Sequence, residues 1–209
     1  MRVLISLSIL LLLTGCATGS LLENAVDTAF NRNVLITTDI GGICSGFTIE
    51  TGVVLTAKHC VEGTLNVEVN GIKVDTITPS KDKDVARLDV QTKKFKRIGF
   101  VKEISLGDKI RMVANPTGKV GWSFHGEVSY IDEKGTIHTS FIGIPGTSGG
   151  GVITEQSKFC GIHTGYHYFT MSDGQEFRTS GTFIPFDQFL ELIKEKKYDV
   201  IIDLPILQE

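Results

Sequence analysis

No charge of one sign dominates this chain. Its 209 residues carry 21 Lys and Arg against 24 Asp and Glu, a net charge of −3. The basic residues are scattered apart from Lys93-Lys94-Phe95-Lys96-Arg97. One short cluster with a single aromatic is not the broad basic face that nucleic acid requires, so a nucleic-acid partner is excluded and the cluster reads as a solvated strand or loop edge. No apolar run is long enough to cross a bilayer either. Val3 to Leu13, relieved only by Ser6 and Ser8, is about eleven residues, whereas a hydrocarbon core ~30 Å thick needs about twenty. Behind Arg2 it reads as the apolar region of a secretory signal, not as a permanent membrane helix. Cysteine is scarce, with four in all. What is there, 41% apolar and 22% charged residues, is the composition of an ordinary globular protein, most simply one compact domain built from two similar halves.

Directly after the apolar run stands Leu13-Thr14-Gly15-Cys16, which resembles the bacterial lipobox. The resemblance implies cleavage before Cys16, whose thiol then carries diacylglycerol, and so a membrane contact through lipidated Cys16 on the outer side of a bacterial envelope membrane. Ala17 is similar to the residue choice of outer-membrane lipoproteins if the host is Gram-negative. The expected division is a signal peptide over 1–15, a tether over 16–32 and a folded domain over 33–209. Export leaves Cys44, Cys60 and Cys160 in a disulfide-permissive compartment, an odd number that leaves one thiol over.

From Asn33 onward the chain consists of strand-length runs rich in β-branched residues: Val34–Thr37, Gly46–Ile49, Val53–Thr56, Leu65–Val69 and Val85–Val90, then a second set including Lys109–Ala114, Ser123–Tyr130, Gly150–Thr154 and Gly161–Thr164. Asn70-Gly71 is the strongest hairpin signal, since both residues tolerate the positive φ of a type I′ turn. Two successive groups of antiparallel strands are implied, over about 33–105 and 106–186. After Pro185 the period changes. Phe186, Leu190 and Ile193 fall on one helical face and lysines gather at the end, which predicts an amphipathic terminal helix over about 187–197, packed on the second group. Beyond Ile193 only a short tail is expected, without a PDZ-like module.

Three motifs carry chemistry. Thr56-Ala57-Lys58-His59-Cys60, Asp84-Val85-Ala86-Arg87-Leu88 and Gly146-Thr147-Ser148-Gly149-Gly150-Gly151-Val152 resemble, in that order, the histidine, aspartate and serine motifs of the chymotrypsin/trypsin-like serine proteases. Asp75, Asp82 and Asp89 compete with Asp84 on composition, but only Asp84 is followed by the Val-Ala pair. The resemblance covers roughly residues 33–195. It implies an all-β fold of two six-stranded antiparallel Greek-key barrels with a C-terminal α-helix, and a triad of His59, Asp84 and Ser148. It also implies an oxyanion hole from the backbone N–H groups of Gly146 and Ser148 around Thr147, and a disulfide between Cys44 and Cys60 that pins the loop bearing the imidazole. The expected chemistry is attack by Ser148 Oγ on an acyl carbon, with His59 as base and then acid and Asp84 holding its tautomer. Thr147 and Gly151 stand where the family has Asp or Asn and Pro. Without an acid at 147, activation by a newly freed amino terminus is not expected.

By the family's counting the base of the first specificity pocket is Ile142, where no acid attracts Arg or Lys. Gly161-Ile162-His163-Thr164-Gly165 resembles bacterial glutamyl endopeptidases, in which this histidine contacts an acidic substrate side chain. Gly143 aligns with their hydroxyl-bearing wall residue, which Thr139 or Ser140 would have to replace. His163 is therefore either a reader of acidic P1 residues or a histidine satisfied within the second barrel. Cys160, His163 and His167 have a zinc-like spacing, but residues 160 and 163 face opposite sides of a strand, so no metal and no cofactor is expected and Cys160 reads as a small buried hydrophobe. The expected function is a lipid-anchored, monomeric endopeptidase acting on polypeptides. The alternative is a protease-like lipoprotein that binds without turnover.

Overall fold

A computed structural model describes residues 29–101 and 103–194. The signal segment, Cys16, most of the tether and residues 195–197 lie outside the described residues. Thirteen strands form two β units. The first is a seven-stranded antiparallel sheet containing β1 (Asn33–Thr38), β2 (Ile43–Glu50), β3 (Val53–Thr56), β4 (Val67–Val69), β5 (Ile72–Lys73), β6 (Thr76–Pro79) and β7 (Ala86–Asp89), in the order β5-β4-β1-β2-β3-β7-β6. The expected hairpin closes β4 onto β5, with Asn70 at φ 51° and Gly71 at φ 78°. This sheet does not close like the six-stranded barrel expected of it. Its outermost strands are the two-residue β5 and β6, which ends in Pro79 and so lacks the N–H to continue a ladder.

The second unit is a closed barrel of β8 (Lys109–Ala114), β9 (Trp122–Ile131), β10 (Ile137–Thr139), β11 (Gly151–Thr154), β12 (Phe159–Thr170) and β13 (Glu176–Pro185), in the order β10-β13-β12-β11-β8-β9. The architecture is thus the chymotrypsin-like pair of β units. Each has its own core, Val34, Ile36, Val54 and Leu88 in the first and Ile110, Met112, Val128 and Phe183 in the second. A third apolar cluster glues them together. Phe47, Ile49 and Leu55 from the first meet Val113, Phe159 and Ile162 from the second, and the Phe47 and Phe159 rings stack at 5.4 Å. Burial of these large side chains contributes about 1.5–3 kcal/mol each and fixes how the two sheets face one another.

Packing begins ahead of residue 33. Residues 29–32 are helical, Ala29 is buried in the interface cluster, and the buried Arg32 donates to the carbonyls of Thr48, Ile49 and Lys96. At the other end the described segment Phe186–Leu192 is a 3₁₀ helix with a break at Phe189, not the expected α-helix. Phe189, Leu192 and Ile193 are buried, whereas Leu190 is exposed. A 3₁₀ turn repeats every three residues, which sets Phe186, Phe189 and Leu192 in one row against the interface cluster. Among the described residues no helix is long and apolar enough to cross a membrane.

Candidate active site

The first β unit supplies the histidine. β3 ends in Thr56, and Ala57, buried in the core, leads into the 3₁₀ turn Lys58–Cys60 that carries His59. A larger residue at 57 would displace the turn, which explains the small residue before the histidine. Cys60 is bonded to Cys44 on β2, with Cα atoms 6.1 Å apart. Closing this loop contributes about 3 kcal/mol in the chain-entropy treatment, and it holds the histidine turn against β2.

Asp84 precedes β7. Val85 enters the cluster between the barrels and Ala86 the core of the first unit, so the carboxylate is anchored by two fully buried residues on its C-terminal side. Its Oδ2 lies 2.7 Å from His59 Nδ1, and its Oδ1 accepts the His59 backbone N–H at 2.9 Å. The hydrogen bond to Asp84 raises the His59 pKa above its ordinary value against the opposing effect of burial, with the charges of Asp84 and Glu62 adding to it. Burial alone would raise Asp84, but the His59 side chain and backbone, the His59 charge and the Lys58 backbone together hold it below the ordinary carboxylate value. Asp84 is therefore ionised at neutral pH, and Nδ1 of a neutral His59 must carry the proton. Nε2, which has no partner among the described residues, is left as an acceptor.

The third motif lies in the loop between β10 and β11. Gly146 and Gly149 have φ of 92° and 86°, the left-handed region that side chains disfavour. A Cβ on Gly149 would also lie 1.9 Å from the Ser45 carbonyl oxygen. The turn is closed by Thr147, whose N–H and hydroxyl both donate to the Ile144 carbonyl, at 3.0 and 2.7 Å. This local role accounts for a hydroxyl residue where the family has an acid or amide. The Pro145 carbonyl is turned away and accepts the Thr117 N–H at 2.8 Å. The amides of Gly146 and Ser148 have no acceptor among the described residues. Gly151 replaces proline because a Cβ there would lie 2.2 Å from the ring of Phe47.

Ser45, which sequence reasoning missed, joins the two halves of the site. Its N–H donates to the Ser148 carbonyl at 2.8 Å, its hydroxyl donates to the Gly146 carbonyl and accepts the Asn115 N–H, both at 2.7 Å, and its own carbonyl accepts the Thr56 hydroxyl at 2.7 Å. The residue beside the disulfide thus ties β2 to both ends of the Gly146–Ser148 turn. Asn115, also missed, continues the network to Val34 and Gly121. Only the position of Ser45 beside Cys44 hinted at such a role, and no motif adjoins Asn115.

His59 and Ser148 line one cavity of about 290 Å³ together with Thr147, His163, Thr164 and Tyr166. Of the expected pocket residues, His163 and Thr164 therefore face the site. Ile142 does not line it and is 38% exposed. Neither hydroxyl residue considered for the opposite wall lines this cavity. Buried Thr139 donates to the Phe141 and Gly181 carbonyls, and Ser140 accepts the Glu127 N–H. His163 is fixed behind the serine loop, its carbonyl accepting the Gly149 N–H at 2.7 Å and its N–H donating to the Gly150 carbonyl at 2.9 Å. Its ring is buried, and burial, helped by the His59 charge and opposed by the Thr182 backbone, lowers its pKa to about 4. Cys160 is a free, buried thiol pushed up to about 12 by burial, hence unreactive. Among the described residues the metal-like grouping is Cys44, His59 and Cys60, and both its sulfurs are consumed by the disulfide.

Residues 44–162 match the trypsin-like peptidase domain, more than half of the chain and all three motifs. No curated protein matches the chain by sequence. Solved structures share the fold. A serine endoprotease from Yersinia pestis superposes with a TM-score of 0.69 at 20% identity, over 82% of this chain and 65% of its own. A Mycobacterium tuberculosis protease in its inactive form gives 0.66 at 17% identity, over 83% and 92%. The HtrA-type protease AlgW with a tripeptide gives 0.64 at 21% identity, over 82% and 62%. The chain thus spans less than two thirds of two of these proteins. With its family match and two-unit fold, the chain belongs to the trypsin-like peptidases and is a serine protease.

Proposed function

We propose that the protein is a lipid-anchored envelope endopeptidase in which Ser148 is the nucleophile, His59 the proton carrier and Asp84 its partner, with a preference for acidic P1 residues. The observation that carries the triad is the pair of Asp84–His59 hydrogen bonds, which leaves His59 Nε2 free in the cavity that Ser148 lines. In the proposed reaction Ser148 Oγ attacks the scissile carbonyl carbon as His59 Nε2 takes its proton, and the Gly146 and Ser148 amides stabilise the resulting oxyanion. His59 then protonates the leaving amine. Water, deprotonated by His59, hydrolyses the acyl-enzyme and the proton returns to Ser148.

The acidic preference is supported by His163 facing the cavity and by the absence of any acid among the residues that line it. A peptide library digested by the full-length protein in detergent tests it: Glu or Asp dominates P1, whereas dominance of apolar or basic P1 residues defeats the preference but not the triad. Anchoring rests on the Leu13-Thr14-Gly15-Cys16 sequence. Palmitate supplied to expressing cells labels the wild-type chain and not Cys16→Ala; equal labelling of both removes the anchor.

A further inference from the structure

Burial keeps His163 neutral above about pH 4. A neutral imidazole donates one hydrogen bond but brings no charge to a carboxylate, and charge-assisted hydrogen bonds are roughly twice as strong as neutral ones. A cation must come from elsewhere if the cavity prefers Glu to its uncharged isostere Gln.

One stands nearby. Arg178 on β13 lies over the Tyr166 ring, with its guanidinium carbon 4.0 Å from the centroid, and its Nη1 makes a long contact of 3.5 Å with the Gly143 carbonyl. One neighbour belongs to the cavity lining and the other adjoins it. Tyr166 lines the cavity with His59 and Ser148, and Gly143 abuts His163, whose Nε2 would lie 2.2 Å from a Cβ at 143. No carboxylate pairs with Arg178 among the described residues. Most of its five N–H donors remain unused, in a fork that suits a carboxylate. The aromatic stack orients the fork without neutralising it.

We propose that Arg178 is the specificity-determining residue that reads the acidic P1 side chain, supplying the charge while His163 Nε2 supplies a neutral hydrogen bond. The inference rests on the acidic P1 preference proposed above. Full-length protein in detergent is assayed on paired peptides differing only in Glu or Gln at P1. The wild type favours Glu by more than tenfold in kcat/KM. Arg178→Gln lowers that Glu/Gln ratio by about 10–100-fold, and Arg178→Lys, which keeps the charge but not the planar fork, lowers it less. A second readout needs no variant. Because the guanidinium is solvent-accessible, the wild-type ratio falls as ionic strength rises from 0.01 to 1 M, across which the screening length shrinks from about 30 to 3 Å. A ratio unchanged in Arg178→Gln, or independent of salt in the wild type, overturns the role of Arg178 while leaving the acidic preference standing. A wild type that cleaves Gln as well as Glu overturns both.

Discussion

Ser148→Ala lowers kcat for peptide hydrolysis by roughly 10⁶-fold, the scale seen when the nucleophile of a serine triad is removed, and it abolishes labelling by a fluorophosphonate. The expectation follows from how little else the cavity offers. The free cysteine is buried and held protonated, and the other hydroxyl closest to the turn, Thr147, is buried and committed to the Ile144 carbonyl. Among the described residues the remaining hydroxyls of the cavity belong to Thr164, Tyr166 and Tyr168, which lie on β12 and not in the Gly146–Ser148 turn. The Gly146 and Ser148 amides are backbone groups and survive the change, so a residual rate of about 10³–10⁴ over water persists. The measurement is single-turnover hydrolysis of a fluorogenic peptide, with mass spectrometry locating the fluorophosphonate adduct. An adduct on another residue of the wild type, or labelling that survives in Ser148→Ala, would remove Ser148 from its role.

Asp84→Asn lowers kcat by about 10⁴-fold while leaving the fold in place. Asn occupies the same volume between the histidine turn and β7, and its oxygen can still accept the His59 backbone N–H that Oδ1 now takes. What it cannot do is hold the tautomer. With an amide N–H₂ facing Nδ1, the imidazole carries its proton on Nε2 and no longer accepts from Ser148. The pH profile separates this from simple loss of structure. Asp84 raises the His59 pKa in the wild type, so wild-type kcat/KM is lost on acidification at a pH above the ordinary histidine value. In Asp84→Asn the acid limb moves to lower pH, because the hydrogen bond and charge of Asp84 that raise His59 are lost and only the Glu62 charge still opposes burial. An acid limb that stays where the wild type has it would show that the Asp84 contact does not govern His59.

The same pair makes a stability contribution with a defined pH window. The Asp84 part is present above its unfolded pKa near 3.8 and is lost as pH falls through its lower folded value. The His59 part is complete below 6.5 and is lost as pH rises through its higher folded value. Both side chains are more than a third exposed, 46% and 38%, so solvent screening keeps the contribution small.

Strands with a continuous or alternating apolar pattern were legible in the sequence. Val53–Thr56 and Lys109–Ala114 match β3 and β8 residue for residue, and Asn70-Gly71 forms its turn. The strands not recognised have physical reasons for their silence. β10 is three residues long and β6 ends in proline. β13 begins in an exposed, polar and aromatic stretch whose ladder with β12 owes nothing to an apolar face of its own. At the terminus, the apolar spacing was compatible with α-helical or 3₁₀ winding, and contact with the interface cluster selected the tighter one. Ile142 shows the limit of counting along the chain: six residues before the serine, it is exposed and is not among the residues that line the cavity.

By itself the sequence determined that His59 meets Asp84 and shares a cavity with Ser148, because each motif couples its side chain to a local requirement. Ala57 needs a small space, Val85 and Ala86 need burial, and Gly146 and Gly149 need a positive φ, all of which are properties of a few adjacent residues. Only the tertiary structure decided what surrounds these three residues. Ser45 reaches Gly146 and Ser148 from more than 100 residues away, and Arg178 reaches Gly143 across 35. The Arg178 contact depends on how the second barrel closes and the Ser45 contacts on how the two β units pack through the Phe47–Phe159 interface, and no local pattern records either relation.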